Sequence, residues 1–418
     1  MSAAGRSSRT LLGNLVNDVM IENAPPSYAR AMASVTPRKL WLARPGDCVV
    51  VQAPCRPAFR DYVERTLGID LGLVELVQPD EVFTGHALDL VERRGAVEKV
   101  VARSELLPFV LDRRVVDFAG RTGTPVAGYD RIPGERTLRA VRDINTKSGF
   151  RAIARSLGLP VAPGGHAATL PELRALLGGF LKERPAAIVK IDRSSNGYGT
   201  AVVHAGDSLS RTGWLTGTAE HRPGRGCGWV YEEFLDFVSV PSAEMIVEEH
   251  GPVPFSSCDQ RTADNAWTGM TAPAAPRGAA VAHEAALAVG SWLHGEGYRG
   301  VFDVDCCLLP GGYVVTEANV RRTGGTCLEE LARRLTGRDS PYWLADVRRG
   351  GRGRGRGPGF GTVVRAIESA GLAQGPTRVV LTADTTEIDG RWRYLVVGGD
   401  GAEVLEAERT LDSILEPS

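Results

Sequence analysis

The sequence predicts an α/β protein built from more than one domain. A chain of 418 residues is two to three times the usual ~150 residues of a single domain. Apolar runs alternate with helical stretches from residue 11 to about 140, and a second region of the same kind continues to about 340. In the first region this alternation is typical of a layered domain with a largely parallel sheet, whereas the second region contains two glycine-bearing hairpin signals, at Ser194 to Gly199 and at Pro310 to Gly312.

Charge and composition exclude several classes of protein. The 49 Lys plus Arg residues are balanced by 50 Asp plus Glu, and a formal net charge of -1 disfavours a role that depends on nucleic-acid phosphates. No run approaches the ~18 successive apolar residues of a membrane span. The seven cysteines are odd in number and unevenly spaced, and the first residues lack an apolar secretory segment. We therefore expect a cytoplasmic protein with neither nucleic acid nor membrane as a partner.

Four segments can be distinguished along the chain. An N-terminal α/β domain is expected over residues 1–140 and a second α/β domain over 141–345. Residues 346–359 include the low-complexity sequence RRGGRGRGRGPG, which cannot bury a core. An RNA-binding Arg-Gly patch is the alternative, but four Arg-Gly steps without aromatic residues favour a connector. The runs RVVLTA and GRWRYLVVGG then predict a small strand-rich domain over 360–418.

Lysine is rare in this chain. Only five of the 49 basic residues are lysines, at positions 39, 99, 147, 182 and 190. A chain that uses arginine almost everywhere retains lysine either where a compact ammonium group is needed or as a result of codon bias. Lys190 lies in the apolar run AAIVKI, where an unpaired charge would be costly, so we expect it to have a partner or a ligand.

Residues 300–325 predict a hairpin that turns at Pro310, Gly311 and Gly312. With a three-residue loop, Asp305 lies opposite Glu317. The same register places Asp303 opposite Asn319, whereas a two-residue loop would break both pairings.

Two carboxylates that face each other repel unless a proton or a cation lies between them. The side-chain oxygens of Asp305, Glu317 and Asn319 form a set that suits Mg²⁺, since zinc would require His or Cys. The alternative is a solvated hairpin edge, or an ion pair with Arg321 or Arg322.

Two further segments point to a nucleotide. A small polar loop follows the strand of Lys190 and contains Gly197 and Gly199, so its backbone N–H groups could close over phosphates. The alternative is an ordinary Asn-Gly hairpin turn. The run WVYEEFLDF at 229–237 could present backbone groups to an adenine edge, and here the alternative is an amphipathic strand end.

These pieces occur in a recognisable order. Lys147 lies in NTKSGFRAIARSLGLPVAPG, Lys190 precedes SSNGYG, EEFL follows, and Asp305 precedes Glu317 and EANVR. The chain resembles the ATP-grasp ligases over residues 140 to 330, and within that superfamily it most resembles the peptide ligases of pheganomycin biosynthesis. The resemblance implies an ATP-grasp fold, an α/β pre-ATP-grasp domain before it and an extra C-terminal domain, with ATP and Mg²⁺ as cofactors.

The resemblance also implies a role for each matching residue. Asp305, Glu317 and Asn319 would hold Mg²⁺, and Arg321 and Lys190 would be catalytic, with Arg321 facing the reacting acyl group. Asp236 or Glu244 would lie near the ribose. The residues assigned to ATP are Lys147, Lys190, Ser194, Ser195, Asn196, Gly197, Tyr198, Gly199, Glu232, Glu233, Phe234, Leu235, Asp236 and Glu244.

The activity implied is an ATP-dependent carboxylate–amine ligation through an acyl phosphate, in antibiotic biosynthesis. An N-blocked or nonproteinogenic amino acid would be joined to a peptide N-terminus with release of ADP and phosphate, and the chain could form a homodimer. For a guanidino acid, Glu248, Glu249 and Asp259 are candidates for an acidic pocket. The alternatives are another ATP-grasp reaction, a phosphotransferase or a carboxylase, and a nonenzymatic ATP-binding module.

Overall fold

A computed structural model describes residues 8–195, 197–209, 228–263, 266–350 and 358–415. Within these ranges the chain contains three sheets, one parallel and two antiparallel, flanked by helices. The α/β class predicted from the alternating pattern is confirmed. No described helix combines the length and the apolar character that a membrane span requires.

The N-terminal sheet is parallel, with the strand order β3-β2-β1-β4. Its strands are β1 Arg9–Leu12, β2 Cys48–Val50, β3 Glu75–Val77 and β4 Glu105–Pro108. Its helices are α1 Pro26–Ser34, α2 Pro57–Leu67, α3 Ala87–Arg93, α4 Val97–Val101 and α5 Arg113–Thr122. Because all four strands run the same way, their carboxyl ends form one edge, where ligands commonly bind in such sheets.

A four-stranded antiparallel sheet follows, in the order β5-β8-β6-β7. Its strands are β5 Gly164–Ala167, β6 Ala186–Ile191, β7 Thr200–His204 and β8 Trp229–Glu233. Helices α6 Glu135–Ile144 and α7 Lys147–Ser156 precede it, and α8 Leu170–Phe180 packs on it through Leu173 and Leu177. Its core is small and separate from the other two apolar clusters.

The largest sheet has eight antiparallel strands in the order β13-β12-β9-β10-β11-β14-β16-β15. The strands are β9 Pro241–Glu248, β10 Gly251–Ala263, β11 Ala266–Ala272, β12 Gly300–Leu309, β13 Gly312–Asn319, β14 Tyr342–Arg349, β15 Arg378–Ala383 and β16 Arg391–Gly398. The helices are α9 Pro276–Gly295, α10 Gly324–Thr336, α11 Phe360–Ser369, α12 Thr386–Asp389 and α13 Gly401–Leu415.

The hairpin of β12 and β13 has the predicted pairing but not the predicted turn. Leu309 pairs with Gly312, so the loop has two residues and the expected three-residue loop is wrong. A β-bulge at Thr316 inserts one extra residue into β13 and restores the register that the short loop would have shifted. Asp305 therefore still lies opposite Glu317.

The C-terminal segment does not form a sheet of its own. β14 pairs with β16, and β16 pairs with β15, so the last strands extend the large sheet. The boundary predicted at residue 345 falls inside β14, and the described part of 360–418 contains two strands and three helices. Residues 351–357 of the predicted connector lie outside the described residues.

Candidate active site

Six residues predicted from sequence line one narrow cleft between the N-terminal domain, the start of α7 and the end of β13. They are Lys147, Ser194, Ser195, Glu317, Asn319 and Arg321. Val19 and Met20 of the N-terminal domain close the opposite side, and the cavity volume is only ≈ 10 Å³. The structure therefore brings these six residues together in a closed arrangement, whereas Asp305 and Lys190 do not line the cleft.

Lys147 connects the two sides of this cleft. It is the first residue of α7, and its Nζ donates to the carbonyl oxygen of Ser194 at 3.0 Å and to the Ser194 hydroxyl at 3.2 Å. The same Nζ lies 3.5 Å from Glu317 Oε2. Burial lowers the pKa of Lys147 below its usual value, although the Glu317 carboxylate opposes this shift. Its ammonium is therefore placed between the glycine-containing loop and the carboxylates.

The position of Lys147 depends on a tight helix start. The Thr146 hydroxyl caps α7 by accepting from Gly149 N at 3.0 Å. A Cβ at residue 149 would lie 2.2 Å from the Asp143 carbonyl oxygen and 2.6 Å from Thr146 Oγ1. Glycine is required there because the backbone of the preceding turn occupies the space.

We expect Gly149→Ala to destabilise the protein by about 1–3 kcal/mol and to reduce nucleotide binding, because the first turn of α7 must move and take Lys147 with it. Urea unfolding and nucleotide titration measure the two effects. Gly178→Ala is the matched control, since a Cβ at that helical glycine meets nothing within 4 Å. Wild-type behaviour of Gly149→Ala would contradict this view of the helix start.

Lys190 has the partner that its apolar strand requires. Its Nζ donates to Glu232 Oε2 at 2.8 Å, and the Arg151 guanidinium binds the other oxygen of that carboxylate. Burial alone would lower the pKa of Lys190, but the Glu232 carboxylate outweighs it and the pKa is raised. Lys190 is therefore a charged ammonium held beside the cleft by a buried network of three ionic groups.

Arg151 and Asp192 belong to this region and were missed from sequence. Arg151 lies one helical turn after Lys147, so a helical periodicity starting from Lys147 could have singled it out. Asp192 accepts hydrogen bonds from Ser148 N at 2.7 Å and Ser148 Oγ at 2.8 Å. It thereby ties the end of β6 to the start of α7, a contact that no local pattern predicts.

The glycine-containing loop closes against the N-terminal domain. The hydroxyls of Ser195 and Tyr28 are 2.6 Å apart, and the rings of Tyr28 and Tyr198 have centroids 5.5 Å apart. Gly199 has φ +69°, and a Cβ there would lie 2.3 Å from Ile191 Cδ1. Glycine is therefore required at residue 199, and the loop packs on the N-terminal domain through Ser195 and Tyr198. Asn196, predicted to bind ATP, lies outside the described residues.

The predicted adenine segment lies at the end of β8. Glu233 N donates to the Pro163 carbonyl oxygen at 2.8 Å, and Phe234 N donates to that of Ala186 at 3.2 Å. Leu235 is half-buried and Asp236 is exposed. These contacts fix the segment beside β5 and β6, and its role towards adenine stays a prediction.

The facing carboxylates lie on β12 and on the edge strand β13 of the large sheet, and they differ in exposure. Asp305 is 7% exposed, whereas 35% of the Glu317 side chain reaches solvent. Burial, and then the carboxylates of Asp303 and Glu317, raise the pKa of Asp305 well above its usual value. Negative charge is crowded here in the way that the hairpin register predicts.

Asn319 lies beside these carboxylates and hydrogen-bonds to two neighbouring side chains. Its Nδ2 donates to Asp303 Oδ1 at 2.8 Å, and its Oδ1 accepts from Arg321 Nη2 at 2.5 Å. Among the described residues, no group of three or more His, Cys, Asp or Glu side chains could hold a metal ion. The hard oxygens of Asp305 and Glu317 fit a Mg²⁺ whose other ligands are phosphate oxygens and water. For Asn319 to join them, its Oδ1 would have to be shared with Arg321.

Glu244 lies with these carboxylates and on a different sheet from the predicted adenine segment. It pairs with Asp303 across β9 and β12, and its Oε1 accepts from the hydroxyls of Thr323 and Thr326 at the start of α10. Burial raises the pKa of Glu244 to about 7. Glu244 is therefore held in the large sheet by hydrogen bonds to α10, and its role near a ribose stays a prediction.

The three candidates for an acidic residue that would bind a guanidino acid, Glu248, Glu249 and Asp259, stay a prediction. Glu248 and Glu249 are exposed where β9 turns into β10, and Asp259 Oδ2 accepts from Ala275 N at 2.7 Å before α9. None of them lines the cleft.

Comparison with known proteins now identifies the fold. The family model described as "Pre ATP-grasp domain" matches residues 36–124. The structure of biotin carboxylase from Campylobacter jejuni superimposes with a TM-score of 0.62 at 12% identity, covering 100% of this chain and 97% of the other. The chain has an ATP-grasp fold.

Two further ATP-grasp structures agree. N5-carboxyaminoimidazole ribonucleotide synthetase from Thermus thermophilus gives a TM-score of 0.58 at 14% identity, with 98% of each chain covered. The carboxyaminoimidazole ribonucleotide synthase from Aspergillus clavatus, solved with ATP, gives 0.57 at 15% identity, again with 98% of each chain covered. No curated protein matches the chain. The resemblance to the ATP-grasp superfamily, with a pre-ATP-grasp domain before it, is confirmed at the level of the fold.

Proposed function

We propose that the protein is an ATP-dependent carboxylate–amine ligase. The observation that carries the proposal is the pair of facing carboxylates, Asp305 and Glu317, joined through Lys147 to a loop that can close over phosphates. A nucleotide triphosphate with Mg²⁺ would be held between these two elements. When bound, ATP and Mg²⁺ would supply the phosphoryl group that converts a substrate carboxylate into an acyl phosphate.

The chain's own residues have distinct tasks in this proposal. Lys147 and Lys190 neutralise phosphate charge, which anion-on-anion attack requires. Arg321 lies beside Asn319 in the cleft and would orient the reacting carboxylate and donate to the oxyanion that forms when the amine attacks. The lid residues Ser195 and Tyr198 would exclude water, because an acyl phosphate is readily hydrolysed.

The finer assignment is a peptide ligase of the pheganomycin type. It rests on the order and wording of the sequence motifs, from NTKSG through EANVR. On this assignment the acid is an N-blocked or nonproteinogenic amino acid, the amine is a peptide N-terminus, and the enzyme acts in the cytoplasm in antibiotic biosynthesis. A homodimer is part of the same proposal.

A carboxylase-type reaction is the second candidate. The similar solved structures include a biotin carboxylase and two carboxyaminoimidazole ribonucleotide synthases, at 12–15% identity. In that case bicarbonate would be the acid that is activated. Asp305 and Glu317 would again hold Mg²⁺, and Arg321 would bind the bicarbonate.

An ADP-release assay distinguishes the candidates. A panel of amino acids and other carboxylic acids is incubated with ATP and Mg²⁺, with and without short peptides, in buffer with bicarbonate either removed or added. A ligase releases ADP only with acid and amine together and yields a new amide by mass spectrometry. Strict dependence on bicarbonate would favour the carboxylase. A stable phosphorylated product would indicate a phosphotransferase, and ATP binding without turnover would indicate a binding module.

A further inference from the structure

Lys39 is a buried lysine that the ligase proposal does not use. It lies in a 3₁₀ segment, Thr36–Leu42, just before β2, and is only 2% exposed. Its Nζ donates to the thiol of Cys327 at 3.5 Å and lies 4.6 Å from the centre of the Phe109 ring. Among the described residues no carboxylate forms an ion pair with it.

These contacts satisfy an ammonium group poorly. Lys has three donors and no acceptor, while a thiol is a weak acceptor and a ring offers only its face. Burial lowers the pKa of Lys39 to about 8, which reflects the cost of holding the charge without water. A buried charge normally has a partner, so the strongest partner of Lys39 is missing from the protein itself.

The surroundings of Lys39 carry an excess of positive charge. The Arg321 guanidinium lies 5.7 Å from the centre of the same Phe109 ring. Arg38 has a buried Nε without a hydrogen-bond partner. Arg322 is different, because Glu330 pairs with it. Lys39 and Arg321 therefore both contact Phe109, and Arg38 is close enough to repel both of them. Glu330 acts on Lys39 only from a distance, and among the described residues no carboxylate forms an ion pair with any of the three cations.

This basic cluster adjoins the cleft through Arg321, whereas Lys39 and Arg38 lie behind it and do not line it. Phe109 follows β4 directly, at the carboxyl edge of the parallel sheet, and its carbonyl oxygen accepts from Arg322 N at 3.0 Å. Arg321 lines the cleft with Glu317 and Asn319. The cluster thus begins at the residue that would hold the reacting carboxylate and extends away from the phosphates into the N-terminal domain.

We propose that Lys39 and Arg38 bind a second oxyanion on the acid substrate, so that the acid is a dianion with one carboxylate on Arg321 and another carboxylate or phosphate on Lys39. This inference rests on the proposed function, because it names the class of acid that the ligase activates. One carboxylate of the acid would pair with Arg321. Lys39 and Arg38 would then still lack an anionic partner, so the acid needs a second oxyanion. The cavity of ≈ 10 Å³ belongs to the closed cleft, which must open for ATP as well as for the acid.

The test compares matched acids on wild type and Lys39→Met. Glutarate carries two carboxylates, valerate has the same chain length and one, and 4-phosphonobutyrate replaces one carboxylate by a phosphonate. ADP release is measured with each acid in the presence of a short peptide as the amine, and thermal shifts are measured with each acid without ATP. Lys182→Met is the control, because Lys182 is exposed in the turn after α8.

We expect wild type to bind and turn over the two dianions at least about tenfold better than valerate, which corresponds to one charge-assisted contact. Preference for glutarate or for 4-phosphonobutyrate identifies the oxyanion. Lys39→Met should lose this preference, keep the KM for ATP, and melt at a higher temperature than wild type in the absence of ligand. Lys182→Met should behave as wild type.

Two results would overturn the inference while the proposed function stands: equal use of valerate and glutarate by wild type, or a lower melting temperature for Lys39→Met, which would make Lys39 a structural residue. Failure of every acid to release ADP would count against the ligase. The thermal shifts need no turnover, so they still test the inference in that case. If the dianions raise the melting temperature of wild type but not of Lys39→Met, the inference is supported. If the dianions do not raise the melting temperature of wild type, it is refuted.

Discussion

Replacing Glu317 by alanine should lower ATP-dependent turnover about 10²- to 10³-fold without unfolding the protein. Glu317 is the more exposed of the two facing carboxylates and the partner of Lys147 at 3.5 Å. Its loss removes one of the two charges that would hold Mg²⁺ and frees the lysine beside the phosphates. Removing its charge relieves repulsion with Asp303 and Asp305 but also takes a carboxylate from buried Lys147, which keeps its hydrogen bonds to Ser194. Because the two effects oppose each other, the net change in stability should be small.

The measurements for Glu317→Ala are the rate of ADP release as a function of Mg²⁺ and the midpoint of thermal unfolding. Glu249→Ala removes an equally charged side chain from an exposed turn and is the control. Unchanged turnover in Glu317→Ala would mean that the hairpin carboxylates do not hold the metal. A rate loss accompanied by a large fall in the unfolding midpoint would assign Glu317 a structural role instead.

Glu232→Ala should be the most destabilising of the single substitutions considered, by about 3–5 kcal/mol, because it leaves Lys190 and Arg151 as buried cations without their carboxylate. Glu232 is 4% exposed and lies between them. Although burial opposes it, the two cations lower the pKa of Glu232 below its usual value of 4.5. The carboxylate therefore stabilises the fold above about pH 4.5, and its contribution declines as the pH falls through the lowered pKa.

Urea unfolding of wild type, Glu232→Ala and Lys190→Met tests this network. Lys190→Met leaves Glu232 paired with Arg151, so it should cost much less stability while weakening nucleotide binding. Equal losses in the two variants would show that the three groups do not act as a network. The difference between wild type and Glu232→Ala should also narrow below pH 4.5, whereas a constant difference would contradict the ionic origin.

The sequence was sufficient for the fold class because apolar periodicity is local, but the order of the strands was not predictable. The break between α6 and α7 at Asn145 and Thr146 was not predicted from the sequence. Thr146 is a good N-cap residue, so the signal was present. The place of residues 378–398 in the large sheet depends on pairing between strands that are distant in sequence. A short stretch of sequence does not indicate such pairing.

In the candidate site, too, features that depend on neighbouring residues were predictable from sequence, and features that depend on residues distant in the chain were not. The opposition of Asp305 and Glu317 followed from counting along a hairpin, yet the count succeeded only because a bulge at Thr316 offset a turn one residue shorter than assumed. The Thr316 hydroxyl donates to the Asp305 carbonyl oxygen at 3.1 Å, so the bulge is held by the strand opposite it. Helical spacing from Lys147 could have found Arg151, but Asp192 acts on Ser148, 44 residues away, and sequence spacing alone could not find it.

The pairing of β14 with β16 determines what happens if the chain is shortened. Trp343 faces Val397 and Leu344 faces Val396 across this seam, and Trp343, Trp392 and Tyr394 are all buried beside it. A protein truncated before α11 would present the bare edge of β14, with unpaired N–H and C=O groups and exposed indole surface, to any other truncated molecule. Such an edge recruits strands from other copies, so the truncated protein should aggregate. The ATP-grasp portion of this chain is therefore not a transplantable module.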